Sequence, residues 1–203
     1  MNSIRFGGIV LCGGQSSRMG TPKAWLPFGG ELMLPRIVRV LREAVDPVVV
    51  VAARGQDVPP LPEEVRVVRD REDGRGPLAG LAAGLEALQG AAGAAYLSSC
   101  DAPFLSSAFV KRVIDSLDDA SIAIPRIDGI PQPLAASYSL DLLPAVERLL
   151  TAGRSRLIDL LESERVRYLA AAELDGVESL RNVNTQDEYE AALREAHPSG
   201  DEG

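Results

Sequence analysis

Between Leu11 and Lys23 the chain gathers Gly13, Gly14, Gly20, Ser16, Ser17, Arg18 and Lys23 without apolar periodicity, directly after the apolar run Gly8-Ile9-Val10-Leu11. A glycine-rich turn leaving a buried strand lets backbone N–H groups converge on an anion, because no Cβ blocks the approach. Arg18 and Lys23 supply the fixed positive charge that a polyphosphate requires. The spacing matches neither of the two commonest phosphate loops. A Walker loop has four residues between its glycine and Gly-Lys-Ser/Thr; here five separate Gly14 from Gly20, and Thr21-Pro22 precede the lysine. The dinucleotide fingerprint G-x-G-x-x-G fails too, because Gly13 and Gly14 are adjacent. A flexible surface turn with two incidental cations would account for one Gly-Gly pair, but not for the whole string.

A polyphosphate site calls for a divalent ion, and Mg²⁺ takes hard oxygen ligands while keeping several waters, so one or two carboxylates suffice. Asp101 is the strongest candidate: it follows the apolar run Ala94 to Ser99 and precedes Ala102-Pro103-Phe104. An aspartate at a strand end is often only a helix N-cap. Ser106 or Ser107 can cap the following helix instead, which frees Asp101. Asp70 stands in a similar place after Val65-Arg66-Val67-Val68. The single histidine, His197, lies in a polar tail, and this excludes His-dependent triads. Cys12 and Cys100 make neither a disulfide framework nor a zinc site; they fall at two predicted strand ends and read as small buried hydrophobes lying near each other.

The chain of 203 residues is 46% hydrophobic and 25% charged, ordinary for a globular protein. Aromatics at 4% and a net charge of −8 argue against stacked-base or polyanion-surface recognition, so no nucleic-acid partner is expected. No apolar run approaches the roughly 18 residues of a membrane span, and the N-terminus lacks a secretory pattern. The expected address is the cytoplasm.

The elements that must hold these residues read as follows. Leu34, Ile37, Val38 and Leu41 give the one-faced spacing of a helix from Leu32 to Ala44. Val48 to Val51 is a β-branched, buried parallel strand. A proline-rich loop leads to a third strand, Val65 to Val68. Pro77 opens a helix from Leu78 to Leu88 whose Ala79, Gly80, Ala82, Ala83 and Gly84 permit close helix–sheet packing or close approach of a ligand. Ala94 to Ser99 is a fourth strand, Ser107 to Leu117 a helix and Ser121 to Pro125 a fifth strand. The alternation βαβαβαβαβ predicts an α/β, three-layer Rossmann-like fold with a mostly parallel sheet and helices on both faces. In such folds ligands bind outside the carboxyl ends of the strands, where the glycine loop, Asp70 and Asp101 fall. Downstream, Pro133 to Tyr138 is strand-like, Asp141 to Leu150 and Ser155 to Leu161 are helical, and Val166 to Leu169 is a strand. Arg181 to Asn184 is a polar strand or loop, and Thr185 with Glu188 forms a capping box for a helix from Gln186 to Ala196. The whole reads as one domain, 1–196, with a nucleotide-binding half near 1–125 and an acceptor side near 126–196, followed by a disordered tail, 197–203.

The string L-x-G-G-x-S-x-R-M-G-x-x-K resembles the signature loop of the nucleotidyltransferases that attach a nucleoside monophosphate to a phosphorylated acceptor. Its adjacent Gly-Gly is most similar to the molybdenum cofactor guanylyltransferases, often called MobA. Cys100-Asp101-Ala102-Pro103-Phe104 matches that family's metal-binding C-D-x-P-F/Y element, and Asp70 with Gly76-Pro77-Leu78-Ala79-Gly80 resembles its second nucleotide-contacting aspartate and helix start. Gly129 to Tyr138, with Gln132, resembles the acceptor-side segment, and Asn182-Val183-Asn184-Thr185-Gln186-Asp187 the pterin-associated N-x-N-T-x-x-D. The resemblance implies GTP and molybdopterin as substrates, Mg²⁺ on Asp101, and molybdoenzymes or cofactor-insertion proteins as partners. It places the nucleotide on Leu11, Cys12, Gly13, Gly14, Lys23, Asp70 and Asp101, and the acceptor on Gln132, Asn182 and Asn184. Lys23 would pair with the α- or β-phosphate, and Arg18 would neutralise developing charge or hold the acceptor phosphate. Two departures stand out. Ala52-Ala53-Arg54 lies where the family carries a nucleoside-contacting Asn, so that contact is lost or replaced by backbone or Arg54, and Cys12 replaces the usual Ala. Two other readings remain: a cytidylyltransferase acting on molybdopterin or a sugar-phosphate-type acceptor, and a non-catalytic nucleotide-binding protein that delivers cofactor. Having Lys23 and Asp101 together argues against the last.

Overall fold

The computed structural model describes residues 4–13, 21–70 and 75–196. The chain runs β1 (Phe6–Leu11), a 3-10 turn at Lys23–Trp25, β2 (Pro27–Phe28), β3 (Glu31–Leu32), α1 (Met33–Arg42), β4 (Val48–Ala52), β5 (Arg66–Arg69), α2 (Pro77–Ala87) and β6 (Ala94–Ser99). It continues α3 (Ser107–Ile114), β7 (Ile122–Ile127), β8 (Ile130–Pro131), β9 (Ala135–Ser139), α4 (Leu143–Thr151), β10 (Val166–Ala170) and α5 (Gln186–Ala196). Among the described residues one sheet has the order β10-β7-β9-β6-β1-β4-β5, with β8 paired to β7. β1 lies parallel to both β4 and β6. The chain therefore builds outward from β1 to β5, then returns to the other side of β1 with β6. That reversal opens a crevice at the carboxyl ends of β1 and β6.

The three layers follow from side-chain periodicity. Leu34, Ile37, Val38 and Leu41 of α1 are fully buried on one sheet face, beside Phe109, Val110 and Val113 of α3. On the other face α2 contributes Leu78, Leu81 and Leu85, and α4 contributes Val146. The small residues of α2 serve packing rather than ligand approach. A Cβ on Gly84 would stand 2.6 Å from Ile9 Cγ2, and one on Gly80 would stand 2.9 Å from Leu11 Cδ2. Helix α5 packs Tyr189 and Ala192 on Phe28, Met33 and Val183 as a smaller satellite core.

Two expectations need correction, and the structure decides the direction of one strand that the sequence leaves open. No helix joins β4 to β5, so the strict alternation has a gap: residues 53–65 are irregular. Pro59, Pro60 and Pro62 lack N–H donors and cannot sustain a helical ladder there. The downstream strand β9 does not extend the parallel pattern but inserts antiparallel between β6 and β7. The segment read as a helix from Ser155 to Leu161 is a 3-10 turn, Leu157–Glu162. Sequence periodicity also gave no sign of the two-residue strands β2 and β3, joined through Gly29 and Gly30 at φ +60° and +83°. Both angles belong to the left-handed region that a tight hairpin turn requires. The expectation for residues 197–203 lies outside the described residues.

Candidate active site

The crevice is assembled from three strand ends. Cys12 N donates to Val51 O (2.8 Å), and Cys100 N donates to Leu11 O (3.0 Å), so the end of β1 at Leu11–Gly13 is held between β4 and β6. The Leu11 side chain is committed to α2 through Gly80. Gly14 and Arg18 lie outside the described residues. Gly13 is placed with Ala53 beside it: a Cβ there would be 3.6 Å from Ala53 N.

Asp101 and Lys23, distant in sequence, meet in the crevice. Lys23 Nζ donates to Asp101 Oδ2 at 2.6 Å and to Asn184 Oδ1 at 2.8 Å. The ion pair is largely shielded, with side-chain exposures of 17% and 12%, so solvent screens it less than a surface pair. Ser99 Oγ donates to the other carboxylate oxygen, Asp101 Oδ1, at 2.5 Å and lies 3.4 Å from Asn182 Oδ1. Ser106, not Asp101, caps α3 by accepting from Phe109 N at 3.2 Å, as the sequence allowed.

The polar segment before α5 is an irregular loop, fastened at both ends. Val183 N donates to Asp101 O at 2.9 Å. Glu188 Oε2 accepts from Asn184 N (2.6 Å) and Thr185 N (3.1 Å), and Thr185 Oγ1 accepts from Glu188 N (3.2 Å), completing the capping box. These backbone donors, Asn184 N foremost, hold the Glu188 carboxyl below its usual range. Upstream, Phe104 meets Phe28 edge-on at 5.5 Å, and the Arg181 guanidinium lies 3.9 Å over the Phe104 ring. Arg36 Nε adds a bond to Pro103 O at 2.9 Å. The turn after Asp101 is thus clamped from α1 and from the 181–184 segment.

Gln132 and Asn182 line one small pocket, with Tyr96 and Ser98 of β6. Asp70 stands elsewhere, at the end of β5, with its N–H on Ala52 O (2.9 Å), one strand beyond β4 from β1. Cys12 and Cys100 are both buried, and their thiols are hydrogen-bonded to each other. That bond lowers the Cys12 pKa, while the same bond and burial push the Cys100 thiol well above the ordinary range.

Two residues escaped the sequence reading. Ser99 is a hydroxyl inside an apolar strand, and its only signal is standing two places before Asp101. Gln56 braces the three strand ends. Its Nε2 donates to Cys12 O (2.9 Å), its Oε1 accepts from Ala53 N (3.0 Å), and its own carbonyl accepts from Arg69 Nη1 (2.6 Å). It stands beside Ala53, where a side-chain amide was expected to be missing.

The donor set fits Mg²⁺. Among the described residues no cluster of three metal-ligating side chains occurs, and the crevice offers one hard carboxylate, Asp101. Such a site would suit Mg²⁺ with phosphate oxygens and waters completing the shell.

Comparison with known proteins gives this geometry a family. The model of the MobA-like NTP transferase domain matches residues 8–168. A relative from Bacillus cytotoxicus named "Probable molybdenum cofactor guanylyltransferase" is 35% identical over 92% of this chain and 95% of its own. One from Mycobacterium marinum with the same name is 33% identical over 97% of each. Among solved structures, the molybdopterin-guanine dinucleotide biosynthesis protein A of Archaeoglobus fulgidus shares the fold, with TM-score 0.79 at 21% identity over 95% of this chain and 99% of its own. So does the 2-C-methyl-D-erythritol 4-phosphate cytidylyltransferase of Thermus thermophilus, at TM-score 0.71 and 18% identity over 96% and 98%. With Cys12 and Gly13 at the switch point and Lys23 set against Asp101, the chain belongs to the MobA-like NTP transferases and is a nucleotidyltransferase.

Proposed function

We propose that the protein transfers GMP from GTP to molybdopterin, forming the guanine dinucleotide cofactor and releasing pyrophosphate. The observation that carries this reading is the Lys23 ammonium, bonded at once to Asp101 and to Asn184. It joins the phosphate-loop side of the crevice to the segment assigned to the acceptor. The names of the relatives supply the nucleotide and the acceptor.

An acceptor phosphate oxygen attacks the α-phosphorus, the α–β bridging P–O bond breaks, and its electron pair leaves with pyrophosphate. A phosphate monoester is ionised near neutral pH, so no general base is needed. Lys23 pairs with phosphate oxygens, the Cys12–Gly13 backbone lies under the nucleotide, and Asp70 contacts it from the β5 side. Asp101 would hold Mg²⁺, and the bound ion would supply neutralisation of phosphate charge and polarisation of the α-phosphorus. Gln132, Asn182 and Asn184 orient the acceptor. The reaction takes place in the cytoplasm, and molybdoenzymes or cofactor-insertion proteins receive the product.

The test is to incubate the purified protein with molybdopterin, Mg²⁺ and each of four nucleoside triphosphates, following pyrophosphate and the dinucleotide product. GTP is expected to exceed CTP by at least ~100-fold in kcat/KM, since the wrong base leaves buried polar groups unpaired. Equal use of CTP would replace this reading with a cytidylyltransferase. Binding of GTP and molybdopterin with no pyrophosphate formed would leave a cofactor-delivery protein.

A further inference from the structure

One side-chain amide joins the ends of β1 and β4. Gln56 Nε2 donates to Cys12 O at 2.9 Å and lies 3.5 Å from Cys12 Sγ, while Oε1 accepts from Ala53 N at 3.0 Å. The residue is itself held: Gln56 N donates to Ala53 O at 3.2 Å, and Gln56 O accepts from Arg69 Nη1 at 2.6 Å. With its nitrogen on Cys12 and its oxygen on Ala53, this amide acts on a ligand through backbone rather than by contact. The backbone in question is the Cys12–Gly13 peptide at the switch point. Cys12 N–H points towards β4, to Val51 O, and Cys12 O points to Gln56, which follows β4. The peptide is trans, because the only cis bond among the described residues is Asp46–Pro47. A trans peptide sets its C=O and N–H in opposite directions. Gly13 N–H is therefore turned towards β6, as Leu11 O is in accepting from Cys100 N at 3.0 Å. On that side Asp101 meets Lys23, and among the described residues Gly13 N has no backbone acceptor.

We propose that Gln56 is a positioning residue for nucleotide binding: by holding the Cys12 carbonyl it fixes the Cys12–Gly13 peptide with its N–H facing the crevice, where it donates to an acceptor oxygen of the bound nucleotide. Without that hold the peptide can turn over and present its carbonyl, which repels the same oxygen. The switch point thus offers a donor because a side chain from the loop after β4 withholds the acceptor. An amide that Ala53 cannot supply to the nucleoside is used here on the backbone beneath it. The inference rests on the reading of the crevice as a nucleotide site, and not on which base or acceptor is used.

Gln56→Met keeps the length of the side chain and removes the bond to Cys12 O. The expected result, by calorimetry and steady-state kinetics, is a GTP Kd and KM raised about tenfold, the scale of one neutral hydrogen bond. The acceptor KM stays unchanged, and so does kcat, because the contact is the same in the ground and transition states. In amide NMR, GTP moves the Gly13 N–H resonance of the wild type downfield, and does not do so in Gln56→Met. Trp25→Phe is the control for a loosened loop. It cuts the other fastening of the same segment, Trp25 Nε1 to Asp57 O at 3.2 Å, and leaves the Cys12 carbonyl bonded. A lower melting temperature with unchanged GTP affinity is expected there. An unchanged Kd in Gln56→Met overturns the role, as does an equal loss in Trp25→Phe, which reduces Gln56 to a loop fastener. A Gly13 amide indifferent to saturating GTP in the wild type overturns it too. If the wild type uses CTP in place of GTP, the guanylyl reading alone fails, and the same measurements with CTP decide for Gln56. A wild type that binds no nucleoside triphosphate ends both.

Discussion

At Lys23 one ammonium serves two carbonyl-type oxygens, Asp101 Oδ2 and Asn184 Oδ1, and its position has consequences for both ligands. With Mg²⁺ on Asp101, as proposed above, the cation would compete with Lys23 for that carboxylate and favour a shift of the ammonium towards the phosphates. Asp101→Asn keeps the shape and removes the charge; turnover at saturating Mg²⁺ should fall at least ~100-fold, the scale of one strong electrostatic contact. GTP affinity without Mg²⁺ should hold or tighten in that variant, because Lys23 is released. More than half of wild-type turnover would sink the assignment. Lys23→Ala should weaken GTP far more than GMP, since a point charge gains with each phosphate it faces. Equal losses by calorimetry would move Lys23 off the phosphates. Both residues were legible in sequence because their motifs have fixed spacing. Ser99 and Gln56 were not, because one polar group on a strand or loop has no periodicity until folding shows what it faces.

The elements were legible where a local rule governs them. The i, i+3, i+4, i+7 set of α1, Pro77 at the start of α2, the Ser106 cap of α3 and the Thr185–Glu188 box of α5 all act within a few residues. The role of the glycines in α2 was open, and packing decided it. Gly84→Ala tests that decision by setting two effects in opposition. Helix propensity alone favours the alanine by about 1 kcal/mol. Overpacking a well-filled core costs about 1–3 kcal/mol, and the new Cβ would stand 2.6 Å from the branched Ile9 side chain. A net destabilisation is expected in chemical denaturation, and a rise in stability would show that Ile9 rotates away freely. The 181–184 segment offers a test at the same scale. Asn182→Ala with Asn184→Ala should spare GTP binding and impair acceptor use, and unchanged pterin affinity would reduce both amides to loop fasteners.

Across the whole molecule, charge places are as instructive as charge totals. Asp159, between α4 and β10, is buried and takes bonds from Arg154 (2.9 Å) and Arg156 (3.0 Å), which hold its pKa at about 2, Arg154 contributing first. A carboxyl depressed in the folded state stabilises fully above its ordinary pKa of 3.8, and loses that contribution as pH falls toward 2. The melting temperature of the wild type should therefore drop more steeply than that of Asp159→Asn between about pH 4 and pH 2. Parallel curves would mean that the two arginines bond without coupling. Asp159 gave no signal in the sequence, because its meaning depends on where the turn after α4 lies. The same division runs through the molecule. The sequence by itself determined the longer strands, the α-helices and their caps, since these follow from side-chain period, proline geometry, and neighbours a few residues away. Tertiary structure alone decided that β9 enters antiparallel between β6 and β7, and that Asn184 reaches Lys23 across 161 positions. Such meetings are fixed by which faces must be buried and which polar groups satisfied once the layers close, and no local pattern encodes them.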